Sequence, residues 1–197
     1  MEMMEQFDRV KEYISVRLEL WVAYHNHKEN MANAGFLVQI SLFGAVITKN
    51  IWPPEWVERL IVLPELATFL AYAMLWFLIH YYTRWQLINK RISAFYVAGF
   101  DQAFQEMITK DPQSIVLKPY EKEALTPSKW RNYLAGIIYV PKGFVRMDAS
   151  VSGLPHFLAE KVKQKFDTGS GADTLEILIT YTSIALLALV GVKVFFG

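Results

Sequence analysis

Three long windows almost free of charge constrain this chain more than any other feature. They cover residues 30–48, residues 60–79 (interrupted only by Glu65) and residues 177–192. An α-helix rises about 1.5 Å per residue, so roughly 20 apolar residues cross about 30 Å of hydrocarbon. The first two windows meet that length. The third meets it once Glu176 and Lys193 snorkel to opposite interfaces. Three such windows in 197 residues, 53% of them hydrophobic with a mean hydropathy of +0.20, favour lipid over a soluble core. The expected fold class is therefore an all-α integral membrane protein: a transmembrane hairpin, a third C-terminal span and a helical cytoplasmic module.

Residues 1–30 are charged throughout and lack the compact apolar stretch of a signal peptide, so the first span is expected to act as its own insertion signal. Lys and Arg near span ends set orientation. Arg17, Lys28, Arg84, Lys90, Arg91, Lys161, Lys163 and Lys165 lie on one side, against Lys49, Arg59 and Lys193 on the other. This places the N-terminus and residues 83–171 in the cytoplasm and the C-terminus outside, as in a multi-pass protein of a cell inner membrane. The expected organisation is a cytoplasmic amphipathic helix (1–30), the hairpin (31–82), the cytoplasmic module (83–171) and the third span (172–197). Between the first two spans, "NIWPPEWVER" reads as a short external turn, with Pro53 and Pro54 stopping the helix and Trp52 and Trp56 suited to the headgroup belt.

Amphipathic helices are expected on the cytoplasmic side. Phe7, Val10, Ile14, Leu18 and Trp21 recur at three- and four-residue spacing, and so do Trp85, Ile88, Ile92, Phe95, Gly99, Ala103 and Met107. These stripes either pack on each other or form a seam between protomers. "TPSKWRNYLAGIIYV" reads as a further helix with Thr126 as N-cap and Pro127 at its first position. In "GLPHFLAEKVKQKF", Leu154, Phe157, Leu158, Val162 and Phe166 share one face, with lysines towards the other, which suits an interfacial helix on anionic lipid. Asp173 and Glu176 resemble a capping box for the third span.

Few residues suggest chemistry. His25-Asn26-His27 spells a nuclease signature, but those enzymes spread the three residues over a ββα fold rather than over consecutive positions of a helix. On a helix, His25 and His27 point about 200° apart and cannot readily chelate one ion. If the hairpin turn is centred near Pro54, residue n faces roughly residue 108 − n. His25, His27, Glu29, His80 and Arg84 then crowd one interfacial layer, read as a polar collar, with a metal site, proton relay or pH sensor as alternatives. Within the spans, Gln39, Glu65, Thr180, Thr182 and Ser183 are polar, and intramembrane polar groups are functional suspects. Glu65 follows Pro64, so it sits either inside the second span or at its N-terminal turn. Ala34, Gly35, Ser41, Gly44 and Ala45 are small enough for close helix approach.

No P-loop, GxGxxG, G-x-S-x-G, HExxH or acidic metal cluster occurs, and no cysteine is present for thiol chemistry, disulfides or Fe–S clusters. An enzyme is not expected, nor a metal or other cofactor. The lysines of 83–171 are accounted for by membrane proximity, so no direct nucleic-acid binding is expected.

A short hairpin with helical cytoplasmic extensions and almost no external mass resembles, in layout, small transmembrane effectors of bacterial antiphage systems, of the retron-linked or nucleotide-signalling type. That resemblance implies a protein that self-associates and perturbs or permeabilises the inner membrane when triggered. It also implies a controlling partner protein or nucleoprotein besides the lipid bilayer. The alternative is a non-catalytic scaffold or accessory subunit of a membrane complex.

Overall fold

The computed structural model describes residues 2–48, 63–109, 154–168 and 174–196. They form four α-helices: α1 (Glu2–Thr48), α2 (Pro64–Thr109), α3 (His156–Thr168) and α4 (Thr174–Phe196). The expected turn at 50–59 with Trp52 and Trp56, the expected helix from Thr126, and Asp173 of the expected capping box lie outside the described residues, as does the side chain of Phe166.

Helices α1, α2 and α4 are each long and apolar enough to cross a membrane, yet only 28%, 17% and 28% of their apolar windows are buried within the protein. Leu37, Leu70, Met74, Leu78, Leu178 and Val192 all project outward. A soluble protein does not leave apolar surface exposed on that scale. Such a surface suits hydrocarbon, and the chain is an all-α membrane protein. α2 opens at Pro64, whose missing N–H costs nothing at a helix start, and Glu65 sits exposed in its first turn, beside the partial positive charge of the helix N-terminus. Glu65 is therefore a helix-start acid that the protein itself does not bury.

The chain divides into two compact units. The first holds the described residues up to Glu29, those of α2 from Ile88, and α3; the second holds the remainder of α1 and α2 together with α4. The sequence placed the second of these divisions at 82/83, five residues earlier.

In the first unit the α1 stripe is buried as its spacing predicts: Phe7 and Ile14 are core residues, with Val10, Leu18 and Trp21 packed against them. On α2, Ile88, Ile92, Gly99, Ala103 and Met107 face inward and Tyr96 and Phe100 supply the largest core side chains, whereas Trp85 falls in the second unit and is exposed. Tyr96 stacks on Trp21 with ring centroids 4.2 Å apart. α3 begins where the Pro155 carbonyl accepts hydrogen bonds from the amides of Leu158 and Ala159. Its Phe157, Leu158, Ala159 and Val162 join the same core, so its apolar face packs on protein rather than on lipid. The reason lies on α2: a Cβ on Gly99 would stand 2.7 Å from Val162 Cα, and only glycine lets α3 come this close. Lys161 and Glu106 then pair at 2.5 Å beside the core.

In the second unit, α1 and α2 are antiparallel and approach closely at Gly35, where a Cβ would lie 2.6 Å from Thr83 Oγ1. Gly44 meets nothing within 4 Å, so it serves no close approach. Two apolar clusters fill the interior: Ala32, Leu87 and Ile179 at one level, and Phe43, Val46, Trp76, Val190 and Val194 at another. The register differs from that expected. The paired numbers total 118 at Gly35–Thr83, and again at His25–Ser93 in the first unit, instead of 108. This alignment is read from contacts between the helices themselves.

Candidate functional site

The altered register rearranges the polar residues. In the second unit they form a ladder in the interior, built from two helix faces that meet. On α2, Trp76, His80 and Arg84 succeed one another at four-residue spacing; on α4, Glu176, Thr180 and Ser183 follow at four and three. Residues so spaced stand above one another, so each α2 rung meets an α4 rung.

At the first rung, Arg84 Nη1 lies 3.0 Å from Glu176 Oε1 and donates to Thr180 Oγ1 at 2.7 Å, while the Thr180 hydroxyl donates to the Glu176 carbonyl at 2.7 Å. Both charged side chains are almost fully buried, at 3% and 4% exposure. Isolated, either charge would carry a desolvation penalty of several kcal/mol, which the pairing and the hydroxyl offset. The expectation that Glu176 snorkels to an interface is thereby corrected: it turns inward to Arg84.

The second rung lies about 6 Å along α2 by helical rise. There His80 Nδ1 and Ser183 Oγ share a hydrogen bond of 2.7 Å. The Trp76 ring stacks on His80 with centroids 4.6 Å apart and donates its Nε1–H to the Ser183 carbonyl at 2.7 Å. α1 contributes Gln39, fully buried one turn beyond Gly35 and one turn before Phe43, hence level with His80. Neither its amide nitrogen nor its amide oxygen has a hydrogen-bond partner among the described residues. Beyond Trp76 the interior is apolar, closed by Phe43, Val46, Val190 and Val194.

His80 and Arg84 thus belong with Gln39, Thr180 and Ser183 in the second unit. His25, His27 and Glu29, with which the sequence grouped them, belong to the first. His25 Nδ1 is 3.0 Å from the Lys90 carbonyl and 3.2 Å from Ser93 Oγ, and Lys90 Nζ pairs with Glu29 Oε1 at 2.8 Å. His27 is exposed. Lys28 lies over the Tyr24 ring at 5.0 Å, and partial burial pushes the Tyr24 phenol above its ordinary value. Thr182 is only half-buried on α4, beside the ladder rather than in it. No group of three or more His, Asp or Glu side chains is placed to hold a metal ion among the described residues.

Trp76 and the inward role of Glu176 escaped the sequence reading. Their signal was the repeat itself, polar or ring-nitrogen residues at helical spacing on both α2 and α4. Chemically the ladder offers one compensated ion pair, a histidine–hydroxyl couple and an unsatisfied amide, and it gives way to the apolar cluster of Phe43, Val46, Val190 and Val194. Comparison of the chain with protein-family models, curated proteins and solved structures finds no match.

Proposed function

We propose that the protein is a membrane-embedded effector that self-associates and permeabilises the cell inner membrane when triggered, as in antiviral defence by abortive infection. One observation carries the reading: a buried polar ladder enters the spanning unit from its Arg84 end and stops at the Phe43–Trp76–Val190 seal. Polar groups are costly inside a membrane bundle that needs them only for packing, and apolar constrictions gate pores by excluding water. A short polar path behind an apolar plug fits a closed, triggerable state. By the distribution of Lys and Arg, the N-terminus and the Arg84 end face the cytoplasm, where a controlling protein or nucleoprotein would act. No enzymatic step, metal or other cofactor enters this proposal.

Induced expression without a control partner is expected to collapse the membrane potential, read with a potential-sensitive dye, and to arrest growth. Harmless overexpression with the potential intact would sink the proposal. Gln39→Leu separates stability from function. Removing an unsatisfied buried amide is expected to stabilise the spanning unit by about 1–2 kcal/mol in micelle unfolding, while dye-measured leakage falls. Leakage that is unchanged in this variant removes Gln39 from the path.

The second reading, a non-catalytic scaffold or accessory subunit, draws on the pairing of Arg84 with Glu176, since a compensated core has no need to open. It predicts co-purification with a larger assembly in mild detergent.

A further inference from the structure

We infer that α1 carries a parallel self-association seam whose occupant is a second copy of this chain. The inference deepens the proposed self-association by naming its surface and its register. The α1 stripe that the sequence offered as a possible seam is consumed by the core of the first unit. A different stripe is left open. Tyr13, Val16, Leu20, Ala23 and His27 alternate at three- and four-residue spacing, and all five are exposed, Val16 and Leu20 by 53% and 55%. At 100° per residue this stripe lies about 140° round the helix from the buried one. The spacing is that of heptad a and d positions sustained over two heptads.

The flanking charges choose the occupant. With Tyr13 and Leu20 at a, Glu12 falls at g and Arg17 at e, and both are exposed. Arg17 also lies over the Tyr13 ring at 5.3 Å, which holds it at the margin of the stripe. Two copies inserted in the same bilayer in the same sense present their α1 helices running the same way. A parallel pair brings each g residue to the e residue five positions on in its neighbour. Glu12 of one copy therefore meets Arg17 of the other, and two-fold symmetry makes the contact twice. The stripe is thus complementary to itself in the one orientation that the membrane allows. A purely lipid-facing surface has no use for this register.

The chain contains no cysteine, so engineered thiols report without background. In a parallel two-fold seam a and d residues meet their own copies. Val16→Cys and Leu20→Cys in the full-length protein, in native membranes under mild oxidant, are expected to give disulfide-linked dimers. Ser15→Cys, exposed about 120° away from the stripe by the same helical geometry, is not. In the Leu20→Cys background, Glu12→Arg or Arg17→Glu alone sets like charges opposite each other twice, and should lower the dimer fraction about fivefold. The double reversal should restore it. Equal cross-linking at Ser15→Cys, or no recovery in the double reversal, overturns the seam and points to a lipid surface or a different protein as occupant. The cross-link is read independently of membrane potential. Dimers without depolarisation keep the seam and remove the effector proposal, whereas depolarisation without dimers does the reverse.

Discussion

Glu176→Ala is expected to destabilise the second unit by about 3–5 kcal/mol, measured by unfolding in detergent micelles, because it removes the carboxylate that balances the Arg84 guanidinium at 3% exposure. A lost packing contact would cost less; the effect comes from an uncompensated buried charge. The reverse substitution, Arg84→Leu, should be comparably harmful through the carboxylate it leaves behind. The double variant Arg84→Leu/Glu176→Leu should recover most of the loss, since replacing both members of a buried pair by apolar groups is often near neutral. A single substitution costing less than about 1 kcal/mol would show that the pair is solvated, and a double variant no better than the singles would show that the charges do not compensate each other. Leakage in the double variant is a separate readout, because the first rung of the ladder would be gone while the bundle stands.

Tyr96→Ala is expected to cost the first unit about 3–5 kcal/mol, a large share of the 5–15 kcal/mol typical of a folded domain. Tyr96 is buried to within 1%, stacks on Trp21 and neighbours Phe100, so truncation opens a cavity between α1 and α2 and removes an aromatic pair. Trp85→Ala should change stability by no more than about 0.5 kcal/mol, because its ring is exposed and holds no core position. The contrast is informative because the apolar spacing on α2 ranks these two residues the other way round. Equal losses for both variants would mean that Trp85 has a partner that the isolated chain lacks.

That inversion shows which parts of the fold the chain states locally. The α1 stripe was legible because Phe7, Val10, Ile14, Leu18 and Trp21 recur at three- and four-residue spacing with charges between them. The second stripe on α2 lies in a helix that is apolar on several faces near its membrane end, and there spacing alone could not separate Tyr96 from Phe95. α3 has the same amphipathic pattern whether lipid or protein covers it. The deciding residue, Gly99, is on another helix. His25 and His80 were drawn together by a register counted from a proline pair, whereas Gly35 against Thr83 and Trp21 on Tyr96 set the true one. Gln39, Thr180 and Ser183 were visible as polar residues in apolar windows, and His80, Arg84 and Glu176 as polar residues at or beyond the window ends. Their assembly was not, because Arg84 and Glu176 find each other across 92 positions of sequence and no local pattern encodes that meeting.

The same pair imposes an order on biogenesis. Chains enter a membrane from the N-terminal side onward, so Arg84 is in place before Glu176 is made. Until α4 docks, the half-built bundle offers the bilayer an arginine, a histidine and a glutamine with nothing from α4 to meet them. Such an intermediate is poorly suited to lipid and conspicuous to membrane proteases. The arriving α4 carries the matching carboxylate near its own leading end, and its insertion neutralises the exposed charge at the moment it completes the bundle. Unassembled and finished chains therefore differ by a charge that only the finished chain neutralises, which gives the cell a chemical basis for telling them apart.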